Sequence, residues 1–444
     1  MTRAKAFLGK EISIAPLVTF RIIFGALACF GAIRFLVNDW VAPLYQDPQF
    51  YFTYLGFDWV QPLPGQWMYL PFILLIMSSL GILLGAFYRW SAVLYFLAFT
   101  YIELIDKTNY LNHYYLISLL AFLMIFLPAH RQFSLDVKWN RVQAQGKISN
   151  WIIFLLQFQL ACVYFFAGIA KLNEDWLFRA EPMTTWLQSH RDMPVFGDFF
   201  AEKWLAFAFS WIGCIYDLSI AFLLWSSKTR KWAYLAVVVF HLLTYALFPI
   251  GVFPFVMIGL TLVFFAPELH ERFVPMSKGN GRASAIPKYA KGLILGFIVL
   301  QCLLPFRYLT YPGHLFWNEE GFRFSWRVML MHKEGLATFY VQDSSSGREI
   351  EIDNSQYLNK RQEEQMSTQP DMILQYAHYL RGKFADTLID VGGKQIRIKN
   401  PNITANVFVA LNGRPAQKLV DKSTLLNEET YNLQHRDWIL PFKP

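Results

Sequence analysis

Residues 161–176 read ACVYFFAGIAKLNEDW, ten apolar positions followed by Lys171, Asn173, Glu174, Asp175 and Trp176 in quick succession. Upstream the run reaches back to Trp151, with Gln157 and Gln159 its only polar members. A stretch of that length matches the roughly 20 residues a helix needs to cross a hydrocarbon core. A lysine closing such a run is either an anchor at the membrane surface or a base withdrawn from water.

The composition favours a membrane setting for the whole chain. Of the 444 residues 55% are hydrophobic and only 16% charged, and mean hydropathy is +0.29. Soluble domains carry about a quarter charged residues, so this chain lacks the polar surface to cover itself. Its 42 Phe, 22 Tyr and 15 Trp fit cores and membrane interfaces alike. Segments near 17–36, 70–87, 91–105, 112–128, 151–170, 204–225, 232–248, 250–266 and 289–305 read as membrane helices. Several are short for a perpendicular span, so eight or nine crossings are expected. The first run is interrupted by Arg21 and Arg34, unlike the clean apolar core of a signal peptide, and is expected to be retained. Both arginines are expected to snorkel or pair internally.

Charge sets the expected orientation. With the N-terminus inside, sixteen lysines and arginines fall in inner loops, among them Arg3, Lys5, Arg89, Lys278, Arg282 and Lys288. Five fall outside: Lys107, Lys171, Arg179, Arg191 and Lys203. Basic residues concentrate on the cytoplasmic side, so the N-terminus is expected in the cytoplasm. The formal net charge of +8 does not point to nucleic acid, because the basic residues are dispersed through short loops and form no stripe. Cys29, Cys162, Cys214 and Cys302 all lie in apolar runs without metal-ligand spacing, as small buried hydrophobes would.

From about residue 306 the pattern changes to short alternating stretches: ATFYVQD (337–343), REIEID (348–353), QIRIKN (395–400) and NVFVALNGRPAQKLV (406–420). SSSG separates the first two, and Asn412-Gly413 is a hairpin turn signal within the last. Between them STQPDMILQYAHYLRGKF reads as a helix capped by Ser367 or Thr368, with Pro370 in its first turn. The expected fold is a polytopic α-helical membrane domain, residues 1–305, followed by a small extracytoplasmic α+β domain, residues 306–444.

This topology gathers polar residues at the outer ends of the helices. ELIDKTNYLNHYYL brings Asp106, Lys107, Asn109, Tyr110, Asn112 and His113 there, and the 151–170 run delivers Lys171. Tyr164, Gly168 and Lys171 share one helical stripe, in which the glycine leaves room for a flat ligand or a second helix. A packing glycine between an interfacial tyrosine and lysine explains the same spacing. His241 and Asp217 lie inside apolar runs, where ionisable residues are functional candidates, although a neutral hydrogen-bonded histidine is a rival reading. His113 is open to the same two readings. No glycine-rich phosphate loop, GxSxG, HExxH or CxxC occurs.

DKTNYLNHYYL, VYFFAGIAKLNEDW, FHLLTYALFPIGVFPFVM, WNEEGFRFSW, QYAHYL and VALNGR together resemble the vitamin K-dependent gamma-carboxylase family, in its shorter bacterial-type form with an HTTM (horizontally transferred transmembrane) region. The likeness runs in order from about residue 10 to the last segment. It implies an enzyme of a bacterial inner membrane that couples oxidation of reduced vitamin K to its 2,3-epoxide with carboxylation of glutamate to γ-carboxyglutamate. The quinone would be of phylloquinone or menaquinone type, with dioxygen and carbon dioxide as co-substrates, no metal, and a glutamate-containing protein or peptide as partner alongside membrane lipid. The resemblance makes Lys171 the initiating base and places Asn112, His113, Tyr164 and His241 around the quinone, with Tyr110 and Gly168 beside them. More weakly, it assigns Phe324, Ser325 and Trp326 to the glutamate. To serve as a base Lys171 must present a neutral amine, and desolvation disfavours the ammonium form. Two departures stand out: no exterior cysteine pair joins the two parts, and Tyr110 stands where animal members have tryptophan. His332 sits one place from the family's downstream histidine and is not assigned. The competing classes are a quinone epoxidase without carboxylation and a quinone- or lipid-binding scaffold or transporter. Transporters usually show internal inverted repeats, and none is visible.

Overall fold

A computed structural model describes residues 7–194, 197–276, 288–391 and 394–444. Of the inner-loop basic residues, Arg3, Lys5, Lys278 and Arg282 lie outside the described residues. Two three-residue strands, β1 (Glu11–Ser13) and β2 (Lys147–Ser149), pair antiparallel and tie the starts of two membrane helices together. The helices are α1 (Ala15–Val37), α2 (Tyr69–Leu84), α3 (Tyr88–Ile105), α4 (Asn112–Phe126), α5 (Trp151–Ala170), α6 (Lys203–Trp225), α7 (Arg230–Leu247), α8 (Phe253–Leu260) and α9 (Lys288–Leu303).

A helix stands over each of the nine apolar segments, but not all are long or apolar enough to span. Five are, over Ala15–Val37, Gly65–Leu84, Trp151–Ala170, Lys203–Trp225 and Lys291–Thr310. Asn112–Phe126 and Phe253–Phe264 are shorter. Local chemistry explains the differences from the expected boundaries. α2 stops at Gly85, whose left-handed φ of 63° closes the helix before residue 87. α8 starts only at Phe253, after a turn in which Gly251 has φ 63°. Arg21 does not snorkel: it is 1% exposed and donates to the carbonyls of Ala129 and Phe133, pinning the inner loop. Arg34 lies over the Trp40 ring. The cysteines are free, and Cys29, Cys162 and Cys214 are buried.

The C-terminal part is an α+β layer. Its four-stranded antiparallel sheet runs in the order β4-β3-β7-β8, from β3 (Lys333–Asp343), β4 (Glu349–Ile352), β7 (Pro401–Leu411) and β8 (Gln417–Val420). A separate hairpin pairs β5 (Thr387–Val391), a strand the sequence did not announce, with β6 (Lys394–Ile398). The long helix α10 (Pro370–Phe384) packs Met372, Ile373, Tyr376 and Leu380 toward the sheet residues Phe339, Val341, Ala405 and Val407, all buried. Its start differs from expectation in one respect. Gln369 is the N-cap and makes no side-chain cap bond, because Ser367 ends a preceding helix, Lys360–Met366. Asn412 and Gly413 take φ 49° and 70°, as a tight turn after β7 requires.

Buried ionic contacts join the two parts. Lys107, in the outer turn between α3 and α4, reaches Asp371 at 2.7 Å, and Arg323 reaches the same carboxylate at 2.7 Å. Burial alone would raise the Asp371 carboxyl, but Arg323 and Lys107 outweigh it and hold it far below the usual carboxylate range. Burial pushes the Lys107 amine down to about 8 against the opposing pull of Asp371. Asp106 accepts from Gln362 at 2.9 Å. Just past α5, Asp175 receives both ends of the Arg414 guanidinium, at 2.6 and 2.9 Å, and the Asn412 amide at 2.8 Å.

The Asp175 clamp sets a pH dependence. Burial would raise this carboxyl, yet the bonds from Arg414 and Asn412 win and its folded value is lowered. Its stabilisation is therefore fully present above the unfolded carboxylate value of about 3.9 and lost as pH falls through the lower folded value. The thermal midpoint of the detergent-solubilised protein is expected to fall as pH drops below about 3.9, the unfolded carboxylate value. Asp175→Asn should flatten that fall; an identical pH profile in the variant would remove the clamp from the account.

Candidate active site

The end of α5 shows how the opening stretch is used. Asn173 caps a short helix, Glu174–Phe178, by accepting from the Trp176 N–H at 3.0 Å. That turn brings Trp176 back beneath Lys171, whose Nζ lies 5.0 Å from the indole centroid. The indole N–H donates to the Ser210 carbonyl of α6 at 2.7 Å. Lys171 itself is 6% exposed and its Nζ meets Asp217 Oδ2 of α6 at 2.8 Å. Its other bond, to the Ala167 carbonyl, is 3.4 Å long.

The helix crossing that permits this pair depends on Gly168. A β-carbon there would stand 2.7 Å from the backbone nitrogen of Leu218, the residue after Asp217. Gly168 thus serves helix packing, and the stripe that lines the site is Tyr164, Ala167 and Lys171. Substituting Gly168→Ala must part the two helices, at a cost of about 1–3 kcal/mol. Unfolding in detergent micelles should show that loss, and undiminished stability would show that the crossing is not tight.

Lys171 and Asp217 sit in a cavity of about 290 Å³ that also takes in Asn112, His113, Tyr164, Trp176, His241 and Phe253. This is near the lower end of the roughly 300–1,000 Å³ typical of ligand pockets. Ile212 of α6 and Leu243 of α7 line it while remaining 63% and 43% exposed, so the cavity opens sideways between these helices. His241 donates Nδ1–H to the Val237 carbonyl at 2.9 Å, which leaves Nε2 of the neutral ring as an acceptor. The His113 ring stacks on Phe253 at 5.0 Å, and among the described residues neither of its nitrogens has a hydrogen-bond partner. Asn112 is partly committed: it donates to the Arg327 carbonyl at 2.8 Å and accepts from Tyr110 at 3.0 Å, leaving one N–H.

The remaining candidates hold the cavity's outer wall and do not line it. Tyr110 accepts from the Phe324 N–H at 2.8 Å, and Phe324 lies edge-on to both Tyr110 and Tyr115. Trp326 is fully buried and stacks on Tyr115 at 4.9 Å. Ser325 faces a different cavity of about 380 Å³, with Arg327. The residues of this segment that reach the Lys171 cavity are Val328 and Met329. Phe324, Trp326 and Met329 have φ of 62°, 58° and 47°, a cluster of left-handed non-glycine residues. Such strain persists only where surrounding structure enforces it, and it collects at functional sites. Asp217, Trp176, Val328 and Met329 are not assigned from sequence; Asp217 gives a signal in its depth within an apolar run, and Trp176 in closing the stretch behind Lys171. His332 is remote from the cavity and pairs with Glu334.

A flat ligand with hydroxyl or carbonyl oxygens suits these groups: aromatic walls, an acceptor at His241, free imidazole nitrogens at His113 and an amine. Among the described residues no group of three or more His, Cys, Asp or Glu could hold a metal ion.

Comparison with known families agrees. Residues 10–269, more than half of the chain, match the family described as HTTM domain. Residues 287–444 match the family described as vitamin K-dependent gamma-carboxylase, lumenal domain. No solved structure matches the chain. With its apolar helices and its two matched regions in this order, the chain is an integral membrane protein with a lumenal C-terminal domain, and it belongs to the vitamin K-dependent gamma-carboxylase family.

Proposed function

We propose that this protein is a vitamin K-dependent gamma-glutamyl carboxylase. The observation that carries the reading is the placement of one amine, Lys171, in an apolar cavity with His113 and His241, open to lipid on one side and closed by lumenal-segment residues Val328 and Met329 on the other. When bound, reduced vitamin K supplies, through its oxidation by dioxygen to the 2,3-epoxide, a base able to take the glutamate γ-proton, after which carbon dioxide adds to the glutamate carbon.

The chain's own groups divide the work. Lys171 Nζ accepts a proton from the ligand hydroxyl. His241 Nε2 accepts a hydrogen bond from a ligand oxygen, and His113, free at both nitrogens, donates to another as a pre-organised group. Asn112 braces the Arg327 carbonyl and so holds Val328 and Met329 against the cavity. Val163, Phe240 and Phe253 exclude water from the reacting centre. The opening between α6 and α7 lets a prenyl tail lie in lipid, since the cavity is too small to hold ring and tail together.

The full reading has eight or nine crossings, a cytoplasmic N-terminus in a bacterial inner membrane, and residues 306–444 on the outer side presenting the glutamate. Support comes from the charge bias and from the contacts of Lys107 and Asp175, both at outer helix ends, with the C-terminal part.

Lys171→Ala is expected to abolish epoxide formation, a loss of at least about 10²-fold given what acid–base groups contribute, measured per folded molecule because removing one partner of the buried pair costs about 3–5 kcal/mol. Normal epoxide formation by that variant in lipid would refute the assignment of the base. His113→Ala should slow turnover more than it weakens quinone binding.

A further inference from the structure

The cavity holds an acidic group that the proposed reaction has not used. Asp217 is its sole carboxylate among the described residues, and its Oδ2 lies 2.8 Å from Lys171 Nζ. Both side chains are nearly closed off, at 7% and 8% exposure. The other contacts of Nζ cannot take a proton: the Ala167 carbonyl lies at 3.4 Å and the Trp176 ring at 5.0 Å. The titratable groups that face the pair are Tyr164 on α5, Cys214 and Tyr216 on α6, His113 on α4 and His241 on α7.

A base held against a carboxylate raises a difficulty. If Asp217 only paired with an ammonium, it would keep Lys171 protonated and useless as a base. We infer that Asp217 is the proton acceptor that frees the Lys171 amine, a role that rests on the function proposed above. Two opposite charges in an apolar cavity lose hydration that their attraction repays only in part. Moving one proton across the 2.8 Å contact removes both charges at once. An Nζ–H bond breaks and an Oδ2–H bond forms, leaving an amine beside a carboxylic acid. The amine lone pair then takes the ligand hydroxyl proton. The pair ends one proton richer and the ligand one poorer, so a net positive charge faces the negative charge left behind. The transfer needs no oxidant, and the pair resets when Nζ gives up the extra proton to water or to hydroxide released in the reaction, after which Oδ2–H returns its proton to the amine.

Asp217→Asn tests this, because asparagine keeps the size and an oxygen acceptor yet cannot hold the proton. Wild type, Asp217→Asn, Asp217→Glu and Lys171→Met would be compared in lipid nanodiscs. The first readout needs no ligand: the infrared stretch of a protonated carboxyl in the resting protein. Read as the difference from wild type, since other carboxyls such as Glu103 of α3 can contribute, a band is expected to be lost in Asp217→Asn and displaced in Lys171→Met. The second is the epoxide rate with reduced vitamin K across pH. Asp217→Asn is expected to lose about 10²-fold or more near neutral pH, to recover partly as hydroxide replaces the carboxylate, and to bind quinone as wild type does. Asp217→Glu should regain much of the rate. Retention of the rate within about fivefold, with an unchanged pH profile, would reduce Asp217 to a positioning residue and overturn the proposal. If Asp217→Asn does not fold, a wild-type pH profile in Asp217→Glu together with no Lys171-dependent carboxyl band would overturn it. If wild type makes no epoxide, the proposed function fails separately, and the infrared band alone decides whether the proton is shared.

Discussion

An amine and a carboxylate 2.8 Å apart inside a membrane bundle can be kept only if neither is able to leave the other. That constraint orders the structure around α5 and α6. Breaking a buried pair by removing one partner typically costs about 3–5 kcal/mol, so the two helices must cross closely and in one register. Gly168 permits the approach, and the cap at Asn173 folds Trp176 under the amine to cover it. Asp175, one turn beyond Lys171, then grips Arg414 of the lumenal part. Each polar residue after the apolar run therefore fixes the surroundings of Lys171 or joins its helix to the outer domain.

The same economy governs the contact between the two parts. Three aspartates, at 106, 175 and 371, meet Gln362, Arg414 and the Lys107–Arg323 pair. Buried ionic contacts are weak devices for stability once desolvation is counted, but a mismatch is costly, so they specify one docking orientation. The orientation matters because residues 324–329 lie between them. Held by Tyr110 and Asn112, that segment turns Val328 and Met329 into the cavity and Ser325 and Arg327 away from it. A glutamate delivered from outside would arrive over this wall.

Much of this was legible in the residues. Apolar length located the helices, since a lipid-spanning segment must satisfy its backbone internally. Period-two alternation located β3, β4 and β7, and the Asn412-Gly413 pair located the turn after β7. Lys171, His113, Tyr164 and His241 stood out as candidates from their positions, with their roles implied by the resemblance, and the structure gathers them around one cavity. What was not legible depends on side-chain direction and on partners far away in sequence. Of the two readings of the Tyr164–Gly168–Lys171 stripe, the packing glycine is the one the close approach of Leu218 fits, and it is Ala167 that lines the cavity. The resemblance assigns Phe324, Ser325 and Trp326 to the glutamate; the residues of that segment that line the Lys171 cavity are Val328 and Met329, in a stretch turned by left-handed residues that spacing does not announce. Asp217 stood out only as a charge in an apolar run; its partner is 46 positions away.

The most direct test of the account is a single reaction. Purified protein in lipid would receive reduced vitamin K, dioxygen, labelled bicarbonate and a short glutamate peptide, with epoxide and peptide-bound label followed together. The account predicts that both products accumulate in step. Epoxide without label would leave an oxidase with no carboxylation, and neither product with the quinone demonstrably bound would contradict the enzymatic reading altogether.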